Sequence, residues 1–263
     1  MKLSVFSGKK AVVTGGSKGI GYAIAKQFAL KGAEVFILAS NTDRLERAAE
    51  SLFKETNNKP KYFAVDLRTC DGCESAYDAV LESLGSIDFL INNAGATKGG
   101  NFADQSDEEM VDGFALKFYG AVRLCRLFWA SLKQTKGVIV NIVGGFARTP
   151  DPDFIIGGAV NAALANFSKA LAGQGLRDDI NVNWIHPGIT VTDRLDEIFR
   201  MRAKLEDKTL DELLKEKVKE EKIRRLGTPD DVASIVAFLC SSEARHIHGV
   251  GIPVDGGGAK GYY

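Results

Sequence analysis

Net charge is what this chain does without: 34 lysines and arginines offset 34 aspartates and glutamates. A balanced surface offers no field to hold a polyanion, so neither nucleic acid nor an anionic membrane is expected as a partner. Cysteine is scarce too, and four in 263 residues do not make a disulfide framework. Cys70 and Cys73 form a C-x-x-C. No second pair or nearby histidine completes a metal set, so no metal is expected and the pair reads as coincidence at a helix start, with a redox or metal role the alternative. No apolar run approaches the roughly 18 residues of a membrane helix. The opening "MKLSVFSGKKAVVTGG" has no sustained apolar stretch before Lys9 and Lys10, which argues against a signal peptide. A reduced, cytoplasmic protein is expected. Repeats, low-complexity tracts and linkers are missing as well, leaving one domain over 1–263.

What the sequence does contain is alternation. Short β-branched runs, "KAVVTG", "EVFILAS", "KYFAVD", "IDFLINNAG", "GVIVNIVG", "INVNWIHPG" and "GIPVDGG", are separated by amphipathic stretches. In "GYAIAKQFALKG" the apolar residues fall at i, i+3, i+4 and i+7, and a basic turn and Gly32 end it. Strand and helix alternating throughout predict an α/β fold, a parallel sheet with helices on both faces. The exception is the mixed-sign stretch from Thr192 to Arg225. It reads as a solvated helix laced by i,i+4 ion pairs, and also as a lid over a pocket.

"VVTGGSKGIGYAIA" follows the first strand and opens the first helix, with Gly15, Gly19 and Gly21 spaced G-x-x-x-G-x-G. Glycine tightens such a turn and lets phosphate oxygens approach backbone amides left free at the helix start. The spacing differs from the G-x-G-x-x-G of other dinucleotide folds.

With "TGGSKGIG", "VDL" at Asp66, "NNAG" at Asn92 to Gly95, "HPGITVT" around Pro187 and the closing "RLGTPDDVASIVAFLCSSEARHIHGVGIPVDGGG", the chain resembles the short-chain dehydrogenase/reductase family over essentially its whole length. The resemblance implies a single-domain, Rossmann-like, doubly wound sheet of strand order 3-2-1-4-5-6-7. It also implies a nicotinamide cofactor and a homotetramer or homodimer. Ser17, Lys18 and Ile20 would join the three glycines around the diphosphate, and Asp66 and Leu67 would meet the adenine. Asn93, Ala94 and Gly95 would abut the cofactor. Pro187, Gly188, Thr190 and Thr192 would lie at its nicotinamide end, and Asn161 beside its ribose.

An acidic residue ending the second strand would bind a ribose 2′-hydroxyl and repel a 2′-phosphate. Here that end holds Ala39 and Ser40, with no carboxylate before Asp43, and Lys18 can pair with a phosphate. NADP is expected, with NAD the alternative.

The family's usual chemistry uses a tyrosine, a lysine four residues later, a serine and an asparagine. At the matching positions this chain has Gly157, Asn161, Gly144 and Lys117. All four depart. Loss of a general acid alone costs on the order of 10²–10⁴ in rate, so replacements are needed. Lys117 is one candidate, an amine moved to the neighbouring helix. Asp151, in the stiff "RTPDPDF" turn, is the other, because divergent relatives carry a similar P-D-P loop. Asp153 and His186 are weaker candidates, and Tyr119 points away from Lys117 on a helix. Gly144, Gly145, Gly157 and Gly158 either widen the cleft or let helix and strand pack closely.

The expected function is reduction of a small-molecule carbonyl or imine by NADPH at a non-standard site. Two rivals remain open. One is an inactive NADP-binding sensor or partner subunit, and the other is a non-redox isomerase or cyclase.

Overall fold

In the computed structural model, which describes residues 4–259 and 261, all seven expected strands form one parallel sheet. They are β1 (Lys10–Thr14), β2 (Glu34–Ala39), β3 (Lys61–Ala64), β4 (Phe89–Asn92), β5 (Val138–Ile142), β6 (Asn181–Pro187) and β7 (Gly251–Val254). The order is β3-β2-β1-β4-β5-β6-β7, as anticipated.

Alternation along each strand divides two apolar layers. Ala11 and Val13 of β1, with Val35 and Ile37 of β2, face one core, which is closed by α1 (Gly19–Leu30), α2 (Thr42–Thr56) and α9 (Pro229–Leu239). Val12, Phe36 and Leu38 face the other, closed by α3 (Cys70–Leu84), α5 (Ala121–Thr135) and α6 (Ile155–Asp178). Burial on both faces explains why these strands read as near-continuous apolar runs. A buried polar chain stitches the sheet to α6: Asn92 Nδ2 donates to Asn141 Oδ1 at 2.8 Å, and Asn141 Nδ2 donates to Ser168 Oγ at 2.8 Å.

Two expectations change. The 24-residue α6 is long and apolar enough, by length and composition, to cross a membrane, which the search for apolar runs missed. Here Val160, Leu164 and Ala172 on that helix are buried against the protein. Second, the mixed-sign stretch is two helices, α7 (Asp193–Glu206) and α8 (Leu210–Glu221). Asp207 turns left-handed at φ 49°, and Thr209 and Glu212 then start α8 with a reciprocal capping box. The i,i+4 ion pairs are present, among them Lys215–Asp211 at 2.6 Å and Lys217–Glu221 at 2.7 Å. Phe199 and Leu213 are buried, so the pair is anchored as well as solvated.

One more helix matters for function. α4 (Asp107–Phe114) runs into α5 through a π-helical turn at Ala115–Gly120, which contains Lys117. Wide turns of this kind re-aim side chains and recur at functional sites.

Candidate active site

A cleft of about 520 Å³ opens at the carboxyl ends of β1, β2, β4 and β5. This is where the strand order reverses direction, the usual ligand position in such sheets. Its floor is the glycine turn. Gly15 and Gly19 have φ of 65° and 56°, the left-handed region that glycine enters without strain. Lys18 precedes α1 in an extended conformation and provides no side-chain cap, so the first amides of the helix remain available to an anion.

Behind the turn Thr14 ties two strands together. Its Oγ1 accepts from the N–H of Asn93 (2.9 Å) and Ala94 (2.8 Å), and Asn93 Nδ2 donates back to the Thr14 carbonyl at 3.0 Å. The cradle is thus rigid before any ligand arrives.

Most of the expected cofactor residues line this cleft: Gly15, Ser17, Lys18, Gly19, Ile20, Ser40, Asp66, Leu67, Asn93, Ala94, Gly95, Pro187 and Thr192. Four do not. Gly21 is buried beneath Gly15, where a Cβ would come within 2.2 Å of the Gly15 carbonyl oxygen, so its role is to let the turn close. Gly188 packs against Asp255, and Thr190 is buried with its hydroxyl on the Gly188 carbonyl at 3.1 Å. Asn161 is 3% exposed behind Gly144, and its Oδ1 has no hydrogen-bond partner among the described residues.

The sequence reading missed Arg44 and Arg68, both on the cleft wall. Arg44 stands in the first turn of α2, which Asn41 caps at 2.9 Å, directly beyond Ser40. Asp43 does not line the cleft; its neighbour does. Reading outward from a β2 end without a carboxylate to the next helix would have found it. Arg68 is clamped between Asp66 (3.2 Å) and Asp112, so it buttresses the Asp66 corner.

At the reactive end Lys117 lies across the cleft wall. Its stem covers Gly95, where a Cβ would sit 2.8 Å from the lysine Cδ, and its amine donates to the Val143 carbonyl. Burial pushes the pKa of this amine down to about 8. The carbonyl of the next residue, Gly144, bonds His186 Nδ1 at 2.9 Å, and Trp184 Nε1 donates to His186 Nε2 at 2.9 Å. Since Nε2 must accept, Nδ1 carries the proton and donates to Gly144. Burial also pushes the histidine pKa down, keeping the ring neutral. His186 therefore braces the strap that receives Lys117, and it does not line the cleft.

Asp151 is not brought to Lys117's cleft. Its Oδ1 accepts from the N–H of Asp153 at 2.8 Å, and its carbonyl from Phe154, an arrangement that shapes the turn. Asp153 is exposed, and Tyr119 is exposed under the Arg123 guanidinium.

Two of the four glycines open no extra space. A Cβ on Gly157 would lie 1.8 Å from the Phe154 ring, and one on Gly144 would lie 2.8 Å from Asn161 Nδ2. Gly144 also has φ 127°, a conformation a serine would hold only under strain. The freed volume at these two positions is filled by Phe154 and Asn161. As for the C-x-x-C, Cys70 is exposed while burial pushes the Cys73 thiol up to about 11. Among the described residues no three metal-ligating side chains come together.

Residues 15–259 match the family model described as "Enoyl-(Acyl carrier protein) reductase". The 3-oxoacyl-(acyl-carrier-protein) reductase FabG of Chlamydia muridarum is 33% identical over 97% of this chain and 98% of its own length. The L-sorbose reductase of Gluconobacter frateurii, solved with NADPH and L-sorbose, is 33% identical, covers both chains fully and superposes with a TM-score of 0.94. A short-chain oxidoreductase of Pseudomonas aeruginosa PAO1, solved with NADPH and described as containing an atypical catalytic center, is 26% identical over 98% of this chain and 99% of its own, with a TM-score of 0.89. With its strand order, glycine turn and reversal-point cleft, this chain belongs to the short-chain dehydrogenase/reductase family.

Proposed function

We propose that the protein is an NADP(H)-dependent reductase of a small-molecule carbonyl or imine, working with Lys117 in place of the family's tyrosine. The single observation that carries this is the half-buried Lys117 amine, held on the Val143 carbonyl in the cleft wall, with its pKa lowered to about 8. An acid that titrates near working pH is well matched to proton transfer.

Bound NADPH supplies the hydride. Lys117, anchored on the Val143 carbonyl, directs an N–H at the substrate oxygen or nitrogen and donates a proton as negative charge develops there. The amine then regains its proton from solvent. An acceptor that is already cationic, such as an iminium, asks less of that proton. Asn161, buried behind Gly144 with its Nδ2 nearest that glycine, fills the space a side chain at 144 would need and so shapes the wall beside the coenzyme. Asp151 serves by holding the turn in front of α6. The enzyme works in the cytoplasm as a homodimer or homotetramer, a state that sedimentation of the purified protein reads directly.

Selection of the phosphorylated coenzyme follows from β2 ending in Ala39 and Ser40 without a carboxylate, flanked by Lys18 and Arg44. Arg44→Ala weakens NADPH binding about tenfold, the worth of one charge-assisted hydrogen bond of about 1.5 kcal/mol, and leaves NADH binding unchanged. Equal losses for both coenzymes would show that Arg44 does not meet the 2′-phosphate.

The segment from Thr192 to Arg225 closes over the bound substrate as a lid, since Thr192 lines the cleft and caps α7. Amide exchange in α7 and α8 slows at least severalfold when NADPH and an acceptor are both bound. Identical exchange in free and bound protein removes the lid.

The decisive test of function is NADPH consumption matched by reduced product across carbonyl and imine acceptors. Tight NADPH binding without turnover would leave the sensor or partner subunit. Product of unchanged oxidation state without coenzyme consumption would leave the isomerase or cyclase.

A further inference from the structure

Phe154 takes no part in the chemistry described above, yet its ring occupies the volume that any side chain at residue 157 would need. A Cβ on Gly157 would lie 1.8 Å from Cε1 and 2.1 Å from Cζ of that ring. The ring is not loosely placed. The Asp153 carbonyl accepts from the N–H of Gly100 at 2.8 Å, and a Cβ on Gly99 would meet that carbonyl oxygen at 2.7 Å and the Phe154 ring at 3.2 Å. The turn before α6 is thereby pinned to the loop after β4. Phe146, from the short turn after β5, backs the ring at 5.3 Å between centroids and 47° between planes.

Gly157 and Asn161 are four residues apart on α6 and share a helix face. Asn161 meets Gly144, which lines the cleft. One turn earlier on the same face, the Phe154 ring takes the place of a residue-157 side chain, next to that wall and beyond the residues that line the cofactor cleft. Where the family pattern puts a tyrosine, this chain has a phenyl ring in its place.

We propose that Phe154, backed by Phe146, is a specificity-determining residue that makes the site select a planar, conjugated acceptor, an aryl ketone or aryl-conjugated imine, over a saturated acceptor of equal size. The proposal rests on the reductase reading above. A conjugated acceptor stacks offset on the ring, and its apolar face loses nothing by leaving water. An acceptor with a polar group aimed at the wall is desolvated there without a partner.

The test compares acetophenone with cyclohexyl methyl ketone, which match in size and differ in planarity. Wild-type protein favours acetophenone in kcat/KM. Phe154→Leu keeps an apolar side chain but removes the π face, and lowers the preference roughly fivefold, the scale of an aromatic pair, with NADPH affinity unchanged. Phe154→Trp retains the preference. Gly157→Ala forces the ring aside and lowers the preference like Phe154→Leu, but has no further effect in a Phe154→Ala background. A uniform loss on both ketones in Phe154→Leu, or no loss, overturns the proposal. If neither ketone drives NADPH oxidation, titrating both into the NADPH complex reads the same preference as a ratio of Kd values. An equal ratio in wild type and Phe154→Leu then overturns the aromatic wall, while the reductase reading stands or falls separately on the broader acceptor panel.

Discussion

Replacing Lys117 with methionine lowers kcat by roughly 10²–10⁴, the usual contribution of a general acid, and changes NADPH affinity only a few-fold. Methionine keeps a flexible stem over Gly95 and removes the proton, so the variant separates chemistry from packing. In the wild type the amine must be protonated to act. With its pKa lowered to about 8, kcat/KM holds below that pH and falls as pH rises through it. The methionine variant loses that falling limb. Asp151→Asn keeps an acceptor for the Asp153 N–H and leaves turnover near wild type. Near-wild-type turnover in Lys117→Met would remove the lysine from the mechanism.

Linkage gives the same site a second reading. The folded pKa of Lys117 lies below the unfolded value of 10.5, so between about pH 8 and 10.5 the unfolded chain binds more protons. Stability contributed at this position therefore rises with pH across that window and is flat below it. Measured against Lys117→Met, the wild type gains stability as pH climbs from 8. A parallel pH dependence in the two proteins would mean that the amine is not buried in solution.

Why the catalytic end was only half legible follows from what sequence spacing encodes. The strands and glycine turn are local patterns: apolar alternation and G-x-x-x-G-x-G are dictated by neighbours in the chain, and they were read correctly. Lys117 was a candidate because it stands where the family pattern has its asparagine, a correspondence that spacing along the chain also preserves. Phe154 over Gly157 was not, since a short run of glycines says only that a side chain is missing. Which group enters the gap depends on how the turn before α6 is pinned to Gly100, a contact 53 residues distant in sequence. Arg44 is legible only past the end of β2, where Asn41 capping α2 turns the next helix start back toward the same corner. The helix break at Asp207 was legible in T-L-D-E, the capping box that starts α8.

The glycine turn supplies the other large effect, and it separates glycines that look equivalent in sequence. Gly21→Ala would put a Cβ 2.2 Å from the Gly15 carbonyl oxygen and 2.5 Å from Asn93 Nδ2. Neither is the loose end of a flexible chain. Asn93 is held by Thr14, and Gly15 is held by the Leu38 carbonyl at 2.7 Å. The turn has to open, and NADPH affinity falls about 100-fold or more, a loss of about 2.7 kcal/mol, with a lowered Tm from overpacking. Among the described residues Gly19→Ala meets only the Thr192 side chain, nearest at Cγ2, 3.5 Å away, an ordinary contact. Its cost is the left-handed φ of 56°, about 1 kcal/mol, and affinity falls about tenfold at most. Gly173, exposed on α6 with nothing within 4 Å of its Cβ position, gains stability on becoming alanine, by roughly 0.5–1 kcal/mol. Calorimetric Kd and Tm on the three variants rank them. If Gly21→Ala bound NADPH like wild type, the turn would be plastic, and the rigid cradle that positions the rest of the site would not exist.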